Sequence, residues 1–195
     1  VVRNALLNKL RSKIEGFISV IARSLARTRV TPNELTTLSL VVAALGYLLV
    51  ILYKSGTVLF TAILASGIID VVDGALARVT GRTTKRGAFL DSFFDRLCET
   101  LYALSLIELG FNPKIVLVYL ALAMLVSYAR ARGESLGVSL SGVGLMERAE
   151  RLITLLLVSL VMGYNFTVSL YLFIALTCLT ALTVAQRFIH VWRNL

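Results

Sequence analysis

Six long apolar stretches, at 35–53, 57–77, 88–110, 113–132, 146–163 and 167–190, take up most of this 195-residue chain. Each approaches the ~20 residues that a helix needs to cross the hydrocarbon layer of a bilayer; the fifth is the shortest. Lys54-Ser55-Gly56, Gly110-Phe111-Asn112-Pro113 and Gly163-Tyr164-Asn165 supply turns between them. Hydrophobic residues make up 57% of the chain, against about 45–50% apolar residues in a soluble domain, and the mean hydropathy is +0.84. The expected fold is therefore an all-α integral membrane protein with six transmembrane helices.

Ahead of the spans, Leu6, Leu7, Leu10, Ile14, Phe17, Ile18, Ile21 and Leu25 recur at helical spacing, with Arg3, Lys9, Arg11, Lys13 and Arg27 among them. Residues 1–30 are thus expected to form an amphipathic juxtamembrane helix lying in the interface, and residues 31–195 a six-helix transmembrane domain. The cations interleaved through this segment are unlike the compact apolar core of a secretory signal. Thr31-Pro32-Asn33-Glu34 forms a sharp corner between the two parts, since Pro restricts the residue before it and fits a first helical turn.

The chain carries 20 Lys and Arg against 11 Asp and Glu, a formal net charge of +9. In so apolar a chain that excess points to anionic membrane lipids and phosphorylated substrates rather than to nucleic acid. The cations concentrate in the N-terminal segment, at Arg78, Arg82, Lys85 and Arg86, and at Arg130, Arg132, Arg148 and Arg151, whereas the opposite connections offer Lys54 and Lys114. The positive-inside rule then places both termini and the Arg-rich loops on the cytoplasmic side of the cell membrane. Cys98 and Cys178 lie in apolar surroundings without metal-ligand spacing and read as packing residues.

Four acids fall in or at the mouths of the second and third stretches: Asp70, Asp73, Asp91 and Asp95. An Asp at the bilayer centre costs about 2.5–3.5 kcal/mol on insertion scales, so such residues are functional candidates by default. Asp70 and Asp73 stand three apart and Asp91 and Asp95 four apart, so each pair occupies one helix face. Four converging carboxylates repel unless cations compensate them, and hard oxygen ligands suit Mg²⁺ or Mn²⁺. Gly74 and Ala77 accompany the first pair and Gly87 precedes the second by a turn, leaving room for a ligand. Arg78 at the cytoplasmic mouth could clamp a phosphate. The plainer alternative pairs the acids structurally with Arg78, Arg82 or Arg96; it gives no reason for the small residues.

The string Asp70-Val-Val-Asp73-Gly74-Ala-Leu-Ala77-Arg78, eight residues, then Gly87-Ala-Phe-Leu-Asp91-Ser-Phe-Phe-Asp95 resembles the signature of the CDP-alcohol phosphotransferase family without departure. The resemblance extends to the N-terminal interfacial helix, the Thr-Pro-Asn corner and six spans. It implies a metal-dependent membrane transferase of phospholipid biosynthesis that moves a phospho-lipid group from a CDP-lipid donor to an alcohol and releases CMP. By the same resemblance, Asp70, Asp73 and Asp91 bind one metal, while Asp95 completes a second site or acts as general base, so that two ions are expected. Gly74, Ala77 and Arg78 would meet the nucleotide with Asp70 and Asp73, and Asn33 and Thr36 are weaker nucleotide-side candidates. Many members of the family pair as homodimers, and a homodimer is expected here.

The acceptor is read from other residues. Ser127-Tyr-Ala-Arg130-Ala-Arg132 and Glu147-Arg148-Ala-Glu150-Arg151 place arginines beside membrane spans, and Arg187 is isolated in an apolar run. Positive-inside loop charge accounts for some of this, although Arg148 and Arg151 open a span and Arg130 lies on the last turn of another. The arrangement is similar to the phosphatidylinositol-phosphate and archaetidylinositol-phosphate synthase branch, with Arg130 where that branch often has Lys. Carried over, Ser127, Arg130, Arg151 and Arg187 would hold the phosphate of inositol 1-phosphate, and the donor would be CDP-diacylglycerol or CDP-archaeol. Glycerol 3-phosphate would also need a basic pocket, so it stays open as acceptor; serine or choline would need less positive charge. A cation transporter with acids along its path would call for inverted repeats and discontinuous helices, and the four acids instead gather in one helix pair. A non-catalytic lipid-binding scaffold would have no need to keep every motif acid.

Overall fold

A computed structural model of the chain describes Gly16 and residues 18–195. Most of the amphipathic helix expected over 1–30 lies outside the described residues; within them, residues 18–25 are helical. Six helices follow: α1 Pro32–Tyr53, α2 Gly56–Thr80, α3 Lys85–Glu108, α4 Pro113–Ser135, α5 Arg148–Met162 and α6 Phe166–Asn194. Each matches one apolar stretch of the sequence. α4 runs five residues past Arg130, so Arg132 rather than Arg130 occupies its last turn.

Local chemistry sets the helix starts. Thr31 and Glu34 form a reciprocal capping box, with Thr31 N donating to Glu34 Oε2 at 2.7 Å and Glu34 N to Thr31 Oγ1 at 3.3 Å. Pro32 between them takes the first helical position, where no N–H is needed. Thr84 Oγ1 accepts from Gly87 N at the head of α3, Asn112 Oδ1 from Lys114 N before α4, and Asn165 Oδ1 from Val168 N before α6. Glu147 precedes α5 without a side-chain cap, its carboxylate being turned toward Arg187.

The side chains are distributed as a bilayer demands. Large apolar residues face outward along whole helices, among them Leu38, Leu45 and Leu52 on α1 and Ile68 and Val71 on α2. Buried positions are in several cases polar: Thr36, Ser39, Ser105, Thr177, Thr180 and Thr183. Their hydroxyls return to carbonyls three or four residues back, as Thr180 does to Leu176 O at 2.7 Å, so they are satisfied within their own helix. Length and composition qualify four helices as spans: α1, α2, α4 and α6. α5, with 15 residues, reaches only about 22 Å at 1.5 Å per residue, and α3 is long enough but bears Lys85, Arg86, Asp91, Asp95, Arg96 and Glu99.

The chain divides into two compact units, one of Leu64–Cys98 with the residues up to Ala43, the other of Ala44–Ile63 with Glu99–Leu195. In the second unit α4 and α5 pack on α6. Phe173 sits between Phe111 and Tyr119, with ring centroids 5.3 Å from each, and Ser169 Oγ donates to Val158 O at 2.7 Å. The connection from α4 to α5 is laced to α6: Thr183 Oγ1 accepts from Met146 N at 3.0 Å, and Arg187 Nε donates to Val143 O at 2.9 Å. Gly133 lets this connection close in, since a Cβ there would stand 2.3 Å from Leu140 Cδ1 and 2.9 Å from Val191 Cγ2.

Candidate active site

The first unit brings the four aspartates together from two helices. One carboxylate oxygen from each of Asp70, Asp91 and Asp95 lies within 4.8 Å of the others. Asp70 comes from α2; Asp91 and Asp95 come from one face of α3, as their spacing required. Asp73 does not join that triple. It is buried, has Thr36 as a hydrogen-bond partner and feels the charges of Asp70 and Asp91. Its Oδ2 is buried with no hydrogen-bond partner among the described residues. Three carboxylates at this separation, beside a fourth with an orphaned oxygen, are an unfavourable arrangement without cations. The donor set therefore fits divalent ions that take hard oxygen ligands. Arg96, one of the three arginines weighed as structural partners, offers partial compensation by lying 3.5 Å from Asp95 Oδ2.

Beside the acids a cavity of about 180 Å³ is lined by Asn33 and Thr36 of α1, Asp73, Gly74, Ala77 and Arg78 of α2, Thr84 before α3, and Gly87 and Asp91 of α3. The small residues have measurable roles. A Cβ at Gly74 would lie 3.4 Å from Arg78 Nη1, so the guanidinium lies over the glycine. A Cβ at Gly87 would stand 3.1 Å from Asn33 Oδ1 and 3.2 Å from Thr84 Oγ1, so this glycine admits both polar groups. Thr84 and Arg82 also line the cavity; the sequence offered Arg82 only as a loop cation and a possible structural partner of the acids, and did not single out Thr84, whose position in the link between the two acid-bearing helices was the available signal.

The residues read as acceptor-binding lie in the second unit. Arg151 and Arg187 both donate to the α4–α5 connection, at Met146 O and Val143 O, and Arg187 also reaches Val126 O, one turn before Arg130 on α4, so the three arginines gather in one region of the unit. Arg151 is buried and grips Glu99 with a two-point fork, Nε to Oε1 at 2.7 Å and Nη2 to Oε2 at 2.8 Å, while Nη1 donates to Met146 O. Tyr119 Oη donates to Glu99 Oε1 at 2.9 Å. Arg187, also buried, donates from Nε to Val143 O and from Nη1 to Val126 O at 2.7 Å. Arg130 is exposed and pairs with Glu134 one turn on. Ser127 Oγ returns to Ala123 O at 3.2 Å. Glu99 and Tyr119 were missed in the sequence, although Glu99 continues the four-residue ladder of Asp91 and Asp95.

Comparison with known proteins agrees with this chemistry. Residues 29–190 match the family model of the CDP-alcohol phosphatidyltransferases. The chain is 41% identical to an archaetidylinositol phosphate synthase of Aeropyrum pernix over 94% of its own length and 95% of the relative's. It is 38% identical to one of Methanothermobacter thermautotrophicus over 100% and 98%. Among solved structures it resembles the Mycobacterium tuberculosis phosphatidylinositol phosphate synthase with CDP-DAG bound, at a TM-score of 0.80 and 28% identity, covering 90% of this chain and 93% of that one. A second structure of that synthase, in complex with manganese and citrate, also gives a TM-score of 0.80, covering 90% and 88%. With its aspartate string intact and its helices matched along nearly the whole length, the chain belongs to the CDP-alcohol phosphatidyltransferase family of membrane enzymes.

Proposed function

We propose that this enzyme transfers the phospho-lipid group of a CDP-lipid, CDP-diacylglycerol or CDP-archaeol, to inositol 1-phosphate and releases CMP. The observation that carries the reading is the convergence of Asp70, Asp91 and Asp95 within 4.8 Å beside a cavity lined by Gly74, Ala77 and Arg78. The names of the archaetidylinositol and phosphatidylinositol phosphate synthases among its relatives support the acceptor, and the CDP-DAG and manganese complexes of the mycobacterial synthase support the donor and the metal.

Asp70, Asp73, Asp91 and Asp95 would hold two Mg²⁺ or Mn²⁺ ions, which when bound neutralise the donor's diphosphate and stabilise the departing CMP. Arg78 clamps the nucleotide's phosphate, and Gly74, Ala77 and Asn33 admit the cytidine. Ser127, Arg130, Arg151 and Arg187 orient the acceptor by its phosphate. A hydroxyl of inositol 1-phosphate attacks the lipid-bearing phosphorus; the new P–O bond forms as the bond to CMP breaks, and the hydroxyl proton passes to Asp95. Six spans with both termini and the site on the cytoplasmic side, an interfacial helix over 1–30, a catalytic domain over 31–195 and a homodimeric assembly complete the proposal.

The test is CMP release by the purified chain from defined CDP-lipids with a panel of acceptors. Inositol 1-phosphate is expected to give product, chelation to abolish it, and Mg²⁺ or Mn²⁺ to restore it. Product from glycerol 3-phosphate but none from inositol 1-phosphate would sink the acceptor assignment. Asp95→Asn should remove turnover in a protein that stays folded; full activity there removes Asp95 as base.

A further inference from the structure

Each arginine of the acceptor cluster comes with its own glutamate, and the three pairs are held very unequally. Glu99 and Arg151 are 3% and 2% exposed and share two hydrogen bonds, with Tyr119 and the Met146 carbonyl closing around them. Arg130 and Glu134 meet through one contact of 3.0 Å on the surface of α4, both nearly half exposed. Water weakens such a pair and side-chain entropy opposes it. Arg187 is fixed by two backbone carbonyls, yet its charge is met by Glu147 at only 3.5 Å, from a carboxylate one-third exposed. Glu147 is free to leave without uncapping α5, which takes no hydrogen bond from its side chain.

We propose that Glu134 and Glu147 are exchangeable counter-ions, displaced by the acceptor's phosphate from Arg130 and Arg187 while Glu99 stays on Arg151. This rests on the acceptor reading above and narrows it to a class: alcohols that carry a phosphomonoester. The argument is one of charge balance. Three arginines and three glutamates leave the resting cluster neutral, so its buried Arg187 is never an uncompensated charge. A phosphomonoester carries about two negative charges at neutral pH, so one phosphate replaces two carboxylates and neutrality is kept. A neutral or zwitterionic alcohol offers nothing to replace them, and the glutamates stay in place. Glu99 and Tyr119 act as positioning residues that hold the Arg151 guanidinium in its plane throughout.

The experiment is calorimetric titration of inorganic phosphate and of inositol 1-phosphate into the purified full chain in detergent micelles. Wild type, E134Q, E147Q, the double variant and E150Q are compared, the last making the same charge change at an exposed residue outside the three pairs. E134Q and E147Q are each expected to tighten binding about two- to fivefold, the worth of a solvent-exposed ion pair, the double variant more, and E150Q less than twofold. The acceptor KM should fall in step, with kcat moving less. Unchanged or weaker binding in both single variants, or equal tightening in E150Q, overturns the proposal. If wild type binds too weakly to measure, binding gained by the double variant supports it and its absence refutes it. Tightened phosphate binding without turnover of inositol 1-phosphate keeps the counter-ions and removes only the acceptor assignment.

Discussion

Asp73 is in demanding surroundings, because it is buried near two other carboxylates and its Oδ2 has no hydrogen-bond partner among the described residues. Asn keeps its shape and its hydrogen bond to Thr36 while removing the charge. In metal-free buffer Asp73→Asn should therefore melt at or above the wild-type temperature, whereas CMP release should fall by about 10²–10³, the scale of losing one electrostatic stabiliser. A melting temperature well below wild type would show that Asp73 is a structural acid. Glu99 predicts the opposite pattern. Glu99→Ala strands Arg151 as a buried unpaired charge and should cost about 3–5 kcal/mol of stability, read from denaturation in micelles; a loss below about 1 kcal/mol, the range of a surface pair, would refute the buried fork. The difference between these residues is also a difference in legibility. The aspartates were readable because each pair sits on one helical turn and an acid in a membrane segment needs a reason. Arg151 could be picked out, but its partner stands 52 positions away, a distance across which a single sequence carries no signal.

At the scale of elements, the turn chemistry was the most legible part. Thr31-Pro32-Asn33-Glu34, Asn112-Pro113 and Asn165 end up at helix starts with their caps made, and every apolar stretch became a helix. The asymmetry among them was only partly visible: the fifth stretch was already the shortest, yet α5 comes down to 15 residues, and α3 adds Arg96 and Glu99 to Asp91 and Asp95, so apolar run length alone describes both poorly. Close approach of helices was likewise invisible. In the second unit a Cβ on Gly46 of α1 would fall 2.3 Å from the Cβ of Ala62 on α2. Neither atom belongs to a flexible side chain, so relief requires the helices to part. Gly46→Ala should destabilise the fold by about 1–3 kcal/mol, the usual cost of overpacking, despite Ala's better helix propensity. Thermal unfolding in detergent measures it, and a stabilised variant would show that the α1–α2 contact is looser than described.

For the whole molecule the strongest determinant is the uneven placement of cations. Arg78, Arg82, Lys85 and Arg86 follow α2, and Arg130, Arg132, Arg148 and Arg151 surround the α4–α5 connection, while the turns after α1 and α3 offer Lys54 and Lys114 and the turn after α5 offers none. Loop cations resist translocation, so the topology we propose puts the connections after α2 and α4 on one face and those after α1, α3 and α5 on the other. This holds only if short α5 and charged α3 both cross. Asp91 and Asp95 of α3 converge with Asp70 of α2, and Arg151 of α5 is buried against Glu99, so these charges are grouped with one another within the protein. Single cysteines test the arrangement: Tyr164 and Ser135 are both exposed, and a Cys178→Ser background leaves only the buried Cys98. Tyr164→Cys should react with a membrane-impermeant maleimide in intact cells, and Ser135→Cys only after permeabilisation. Equal labelling of both from outside would mean that α5 does not cross, leaving an odd number of spans and the arginine cluster on the wrong side for a cytoplasmic sugar phosphate.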